Sequence, residues 1–306
     1  MEPRLRALSS ADLPRARALL VASCAFDDAA PVAEEKLLGG APGPDAAPEA
    51  IGAFHGHDLV GVAATSARWI RLLAVHPDVR GRGIGSALLA GAEDRIAGRG
   101  APLARTLDQP GNYLAPGIDT RNRDTVAWFE RRGYRRLVEN TNLLIDVASN
   151  PSVSAERAAE RAERAAAAGY QVRRARPSDG AELSARISLE FSAAWAFEVM
   201  RALDRDPPAV HLALTGDGEL AAFAAHDGNN RGLGWFGPAG TLELHRQRGL
   251  GEALLIACLV DVAADGVDRC TVAWIGPRGF YQRAAGLAGE RRFVVLGKDL
   301  AAREAA

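Results

Sequence analysis

The sequence predicts an α/β protein: a mixed sheet (α+β in character) with helices on both faces, built twice in tandem. Three observations predict it. RGRGIGSALL at 80–89 recurs as RQRGLGEALL at 246–255, with seven of ten positions identical at an offset of 166. The two halves also begin alike, Leu5-Arg6 through Asp12 matching Val172-Arg173 through Asp179. In each half an apolar hairpin precedes a strand–helix–strand pattern, the order of a mixed sheet. Two matches in register across 306 residues indicate duplication.

Each element has a local reason. In the first half residues 4–8 alternate as a strand, and a Ser or Asp cap opens a helix over 12–24. Residues 25–49 are rich in Pro, Gly and Ala and read as irregular, with a short helix at 33–38. Residues 50–55 and 59–66 form a hairpin about Gly56-His57-Asp58. A strand at 69–76, a helix at 86–97 and a strand at 101–107 follow. A helix at 122–132 ends at Gly133, ahead of strands at 134–138 and 142–147. In the second half strands fall at 170–176, 210–215, 220–226, 235–244, 269–274 and 291–296. Helices fall at 179–191, 195–203, 252–265 and 278–285. Residues 152–169, SVSAERAAERAERAAAAG, combine a Ser start, a Glu160/Arg164 pair and a terminal Gly, predicting a solvent-exposed connecting helix. The expected domains are therefore 1–149 and 170–306, joined by a connector at 150–169.

Composition excludes several classes. Apolar residues make up 48% and charged residues 25%, with a net charge of −1, so neither nucleic acid nor an anionic membrane is an expected partner. No apolar run reaches the ~18 residues of a membrane span. Met1-Glu2-Pro3-Arg4 opens without the apolar core of a secretory signal. Cys24, Cys258 and Cys270 are far apart, and the histidines are scattered, so neither a disulfide framework nor a metal site is expected. The expected location is the cytoplasm. Oligomeric state has no signature in the sequence.

The chemistry-bearing unit is a strand, then Arg-x-x-Gly-x-Gly, then an amphipathic helix. In the first copy it is Arg80-Gly81-Arg82-Gly83-Ile84-Gly85-Ser86, in the second Arg246-Gln247-Arg248-Gly249-Leu250-Gly251-Glu252. Leu88, Leu89, Ala92 and Ile96 line one face of the first helix, and Leu254, Leu255, Cys258 and Val262 repeat that stripe. Glycines let the backbone turn so that successive N–H groups converge at a helix start, which makes a pyrophosphate cradle. The later acidic residue and βαβ order of a dinucleotide site are absent.

These segments resemble the GNAT superfamily of acyltransferases. Residues 73–89, LAVHPDVRGRGIGSALL, are similar to its acyl-CoA motif; NRDTVAWFERRGY at 122–134 and RGFYQRAAG at 278–286 are similar to its later helix. The tandem arrangement resembles that of the mycothiol synthases. The resemblance implies acetyl-CoA as cosubstrate, no metal, and a primary amine of a small molecule or peptide as acceptor. It implies that the amides of Gly81 to Ser86, and of Gln247 to Glu252, hold the CoA pyrophosphate. The edge at Leu73, Ala74 and Val75, or at 239–241, would pair with the pantetheine amides, and a splay beside it would admit the thioester. Many members carry a Tyr on the last helix that protonates the departing thiolate. The first half has Phe129 there; the second has Tyr281, with Gly286 five residues on, and a packing role is the alternative. Glu243, at the end of the second cradle strand, is either a general base or a solvated carboxylate. Around the second site Trp195 and Glu198, and around the first Tyr113, Asp119 and Asn122, are open to packing or turn explanations. The alternative is an acyl-CoA-binding regulatory or scaffold protein in which one or both catalytic halves have decayed.

Overall fold

A computed structural model describes residues 3–43, 46–274 and 276–300. In chain order the first elements are β1 (Arg4–Ala7), α1 (Leu13–Ser23), α2 (Ala33–Leu37), β2 (Glu49–His55), β3 (Asp58–Ser66) and β4 (Trp69–Val75). There follow α3 (Ile84–Gly98), β5 (Leu103–Thr106), β6 (Ile118–Asp119), α4 (Arg123–Glu130) and β7 (Arg135–Asp146). The chain continues through α5 (Ala155–Ala167), β8 (Tyr170–Arg174), α6 (Gly180–Glu190), α7 (Ala193–Leu203), β9 (Val210–Thr215) and β10 (Leu220–His226). It ends with β11 (Trp235–Thr241), α8 (Leu250–Ala264), β12 (Arg269–Val272), α9 (Arg278–Ala285) and β13 (Gly289–Asp299).

Two compact units result, and their boundaries differ from the expected ones. The first comprises Met1–Asn140 with Arg292–Ala306, the second Thr141–Arg291. The division at 149/170 failed because strand pairing overrides chain order at both ends. Arg135–Asp146 is one strand where two were expected, and its last residues, Leu143 to Asp146, pair antiparallel with β12. The C-terminal strand β13 pairs with β5 and β6 of the first unit. Lys298 on β13 fixes that choice: its ammonium meets Glu93 of α3 at 3.1 Å, and Glu93, 1% exposed, also accepts from the Tyr134 hydroxyl. Gly117 lets the backbone run against Val294, where a Cβ would approach to 2.8 Å.

Within the first unit the strand order begins β1-β2-β3-β4-β5-β13, with β6 beside β13. In the second it runs from β7 through β12, β11, β10 and β9 to β8. Helices cover both faces, and β9 and β10 explain why. Ala213, Ala222 and Ala224 pack with Leu254, Leu255 and Cys258 of α8, whereas Leu212, Leu214, Phe223 and Ala225 pack with α6 and α7. Alternate residues of a strand point to opposite faces, and both sets here are apolar.

The connecting helix α5 forms as expected, capped by Ser154, whose Oγ accepts from the Arg157 amide, and carrying the Glu160–Arg164 ion pair. It is not a free connector. Ala165 is buried, and Arg157 and Arg161 reach Glu252 at the start of α8. The matched beginnings of the halves are real geometry as well: Arg6 binds Asp12 at 2.6 Å and Arg173 binds Asp179 at 2.7 Å. Cys24, Cys258 and Cys270 are free thiols. No helix is long and apolar enough to cross a membrane among the described residues.

Candidate functional site: two cradles of unequal chemistry

The first cradle starts where β4 ends. Pro77–Val79 make one 3-10 turn, Arg80 returns to extended backbone (φ −62°, ψ 159°), and Gly81 (φ 76°) and Gly83 (φ 81°) are left-handed. Gly83 is the N-cap of α3, so the helix begins at Ile84, two residues before the expected start. Left-handed backbone at an N-cap is where glycine is cheap. Arg80 holds the turn by donating from Nε to the carbonyl of Val75 (3.0 Å) and from Nη2 to that of Ser23 (3.2 Å). Among the described residues no carbonyl accepts from the amides of residues 81–86. Nothing lies within 4 Å of where a Cβ would stand on Gly81 or Gly83. Six amides without a carbonyl partner therefore lie at the positive end of a helix, with open space beside Gly81 and Gly83.

Two further groups complete this rim. Ser86 is exposed and its Oγ accepts from Arg132 Nη2 at 2.8 Å, which places a guanidinium at the first turn of α3. Arg132 lies over the Trp128 ring at 3.9 Å, and Trp128 packs against Gly85, where a Cβ would come within 3.2 Å. Beside the cradle the sheet splays. β4 pairs with β5 only at Trp69↔Arg105 and Ile70↔Thr106, so Leu72, Leu73, Ala74 and Val75 lie beyond the paired stretch. The β3–β4 register shifts opposite Arg71, making a bulge there. Arg71, 1% exposed, sends its guanidinium to the carbonyls of Gly39 (2.6 Å) and Glu35 (3.1 Å). Lys36 Nζ, fully buried, meets Glu35 at 2.6 Å and Asn112 at 2.9 Å. This cluster of buried charges ties the irregular 33–40 segment and the loop at Asn112 to the splayed strand. Sequence reasoning missed it, because a lone Arg in a strand and a lone Lys in a short helix carry no periodic signal.

The second cradle repeats the backbone. Arg246 sits at φ −66°, ψ 159°, its Nε 3.4 Å from the Thr241 carbonyl; Gly249 (φ 78°) caps α8. β11 pairs with β12 at Trp235↔Thr271 and Phe236↔Val272 only, so residues 237–241 lie beyond the paired stretch. The bulge recurs at Gly237, opposite the register shift between Ala224 and His226. Leu250 is buried, Arg248 is exposed, and no carbonyl accepts from the amides of residues 247–252 among the described residues.

Two residues differ in kind. Gln247 (φ 63°) replaces a glycine in a left-handed position, which strains a side-chain-bearing residue. Glu252 replaces Ser86. Its carboxylate stands on the first turn of α8, 3.3 Å from Arg157 and 3.0 Å from Arg161. An acidic side chain there satisfies the helix dipole from within and competes with an incoming anion.

Tyr281 and Phe129 occupy the same place. Trp128 and Phe129 make an edge contact at 5.0 Å, and Phe280 and Tyr281 repeat it at 5.0 Å. Phe280 lies beside Gly251 as Trp128 lies beside Gly85. Tyr281 packs edge-on to Phe236 at 6.3 Å, and burial pushes its phenol up to about 12. No hydrogen bond to its hydroxyl is made among the described residues. Glu243 is exposed on the 3-10 turn after β11, outside the strand pair that frames the splay. Trp195 stacks on Phe191 at 5.3 Å and Glu198 is buried, while Tyr113 and Asp119 are buried in the first unit.

Comparison with known proteins bears on the fold. Residues 48–136 match the acetyltransferase (GNAT) domain family. No curated protein matches the sequence. Among solved structures, a fungal GCN5-related glucosamine N-acetyltransferase region of a multi-domain GH3 β-N-acetylglucosaminidase superposes at a TM-score of 0.74 and 18% identity. That match covers 96% of this chain but 38% of the fungal protein. A GCN5-related N-acetyltransferase from Sphaerobacter thermophilus gives 0.67 at 21% identity, covering 97% and 96% of the two chains. A tandem GNAT protein from the clavulanic acid biosynthesis pathway gives 0.65 at 20%, covering 98% and 99%. At such identities the likeness speaks for the fold. Residues 48–136 thus match the acetyltransferase (GNAT) domain family, within a chain whose fold is like that of a tandem GNAT protein.

Proposed function

We propose that this protein is an acetyl-CoA-dependent N-acetyltransferase whose first unit holds the cosubstrate. The observation that carries the reading is the first cradle: six unpartnered amides, residues 81–86, beside Ser86 and Arg132 and without a carboxylate. The pyrophosphate would lie on those amides, and the pantetheine would pair with the free edge at Leu73, Ala74 and Val75. The thioester then enters the splay between β4 and β5. A neutral primary amine attacks the carbonyl, the new C–N bond forms as the C–S bond breaks, and the thiolate takes a proton. The fungal relative is described as a glucosamine N-acetyltransferase, so an amino sugar belongs in the first panel of acceptors, alongside peptide amines.

A second reading puts chemistry in the second unit, and the lone Tyr281 hydroxyl favours it. Held protonated, it would deliver the proton to the thiolate, with Glu243 as base. Calorimetry with acetyl-CoA on Gly83→Glu and Gly249→Glu separates the two. The favoured reading expects one site, abolished by the first change and kept by the second. Loss through Gly249→Glu alone transfers the site to the second cradle. Binding without turnover over the amine panel would mark an acyl-CoA-binding regulatory protein instead.

A further inference from the structure

The second unit carries a cluster that acetyl transfer does not use. His226 ends β10, Asp227 follows it, and Asp265 is the C-cap of α8; one ligand atom from each lies within 4.8 Å of the others. His226 and Asp227 are 2% and 3% exposed, yet neither His226 Nδ1 nor Asp227 Oδ1 has a hydrogen-bond partner among the described residues. The other ring nitrogen is committed. His226 Nε2 lies 3.4 Å from Asp261 Oδ2, the oxygen that also meets His211 Nε2 at 2.7 Å; Arg174 holds Asp261 Oδ1 at 2.7 Å. A proton on Nε2, directed at that carboxylate, leaves Nδ1 as a buried lone pair. Each buried acceptor left without a donor is unfavourable. Asp227 is also left-handed (φ 53°), a conformation a non-glycine residue keeps only where its surroundings enforce it.

The field at this place calls for a cation. Asp265 stands at the negative end of the α8 dipole. Arg205 supplies part of the answer, donating to Asp227 Oδ2 at 2.8 Å and Asp265 Oδ2 at 3.0 Å. Both contacts use Oδ2, which leaves an Oδ1 on each carboxylate.

We propose that His226, Asp227 and Asp265 bind one divalent first-row transition ion of the Zn²⁺ kind, with solvent completing its shell. One imidazole and two carboxylates suit such an ion in both ligand type and charge. Asp261 acts behind His226, fixing the ring and its tautomer, while Arg205 competes with the ion for the two carboxylates. The site is separate from both cradles and does not depend on the acetyltransferase reading.

The test uses the full-length chain, stripped by chelation and titrated with Co²⁺ alone, then with Zn²⁺, by visible absorption and calorimetry. One equivalent of Co²⁺ should bind with ligand-field bands and be displaced by one of Zn²⁺. Asp265→Asn, a change at a partly exposed carboxylate, should weaken binding by at least ~10-fold with the melting curve of the stripped protein kept. Arg205→Gln, which removes the internal competitor, should tighten it. Absence of stoichiometric Co²⁺ binding overturns the proposal, as does affinity unchanged in both Asp265→Asn and His226→Gln. Nitrogen NMR gives an independent arm: a His226 ring carrying protons on both nitrogens at neutral pH, unmoved by Zn²⁺, would mean that a proton is the cation there.

Discussion

Ser86→Glu tests the inequality of the cradles, because it writes the second copy's residue into the first. Both side chains stand on the first turn of their helix, three residues past the capping glycine. A carboxylate there faces the two charges of a pyrophosphate at roughly 6 Å. With an effective dielectric constant of about 40 for this exposed position, each charge pair costs ~1.4 kcal/mol, or about 2.8 kcal/mol in all. That is ~100-fold in Kd. Arg132, now 2.8 Å from Ser86 Oγ, would pair with the new carboxylate and offset part of the loss. The expected loss is therefore about 10- to 100-fold, against at most ~10-fold for Ser86→Ala, which removes one hydroxyl. Calorimetry with CoA reads it directly, with a melting curve to show that the fold is kept; an acidic first-turn residue should not lower stability. The reciprocal change, Glu252→Ser, should raise the stoichiometry toward two. If Ser86→Glu binds CoA within about threefold of the parent, the amides of residues 81–86 do not hold the pyrophosphate and the reasoning fails.

Other consequences can be read separately. Tyr281→Phe should lower turnover ~100-fold with CoA affinity kept if the second unit performs chemistry; unchanged turnover assigns Tyr281 to packing. Arg71→Met removes the guanidinium's hydrogen bonds to the carbonyls of Gly39 and Glu35, which keep the Asn112 amide as donor, and should cost about 2 kcal/mol, seen as a lower urea midpoint at unchanged slope. Asp12 and Asp179 are both held below the ordinary carboxylate range, chiefly by hydrogen bonds from Arg6 and Arg173. A carboxylate depressed in the folded state contributes stability that is present above its unfolded value, 3.8, and is lost as the pH falls through its folded one. Acid unfolding below about pH 5 should therefore be shallower in Asp12→Asn and Asp179→Asn, and parallel curves would discount these pairs.

Much of the site was legible because its determinants are local. The left-handed turn at Gly83 and Gly249, and the apolar stripe behind it, are properties of some ten consecutive residues, so the repeated motif and its helix could be read directly. The Phe129/Tyr281 equivalence needed one contact more: Gly286 lies five residues past Tyr281 in the chain, and only the packing of Trp128 on Gly85 and Phe280 on Gly251 aligns the two helices. The asymmetry of the cradles was half legible. Glu252 stands in the sequence, but its pairing with Arg157 and Arg161 depends on α5 lying along α8, which no local pattern encodes.

By itself the sequence determined the duplication, the order of strands and helices, and the position of both Arg-x-x-Gly-x-Gly turns, since periodicity, turn residues and helix starts act over one or two turns of chain. Tertiary structure alone decided which strand belongs to which unit. Residues 139–141, left between two expected strands, are extended within a single one, and β13 pairs with β5. The physical reason is that an extended segment carries its hydrogen-bonding groups on both edges and takes whichever partner best buries its side chains. For β13 the ion pair of Lys298 with buried Glu93, more than 200 residues away in sequence, weights that choice. The gathering of Arg71, Lys36 and Asn112, and of His226, Asp227 and Asp265, has the same origin: polar groups from separate segments of the chain meet only once the strands have chosen their neighbours.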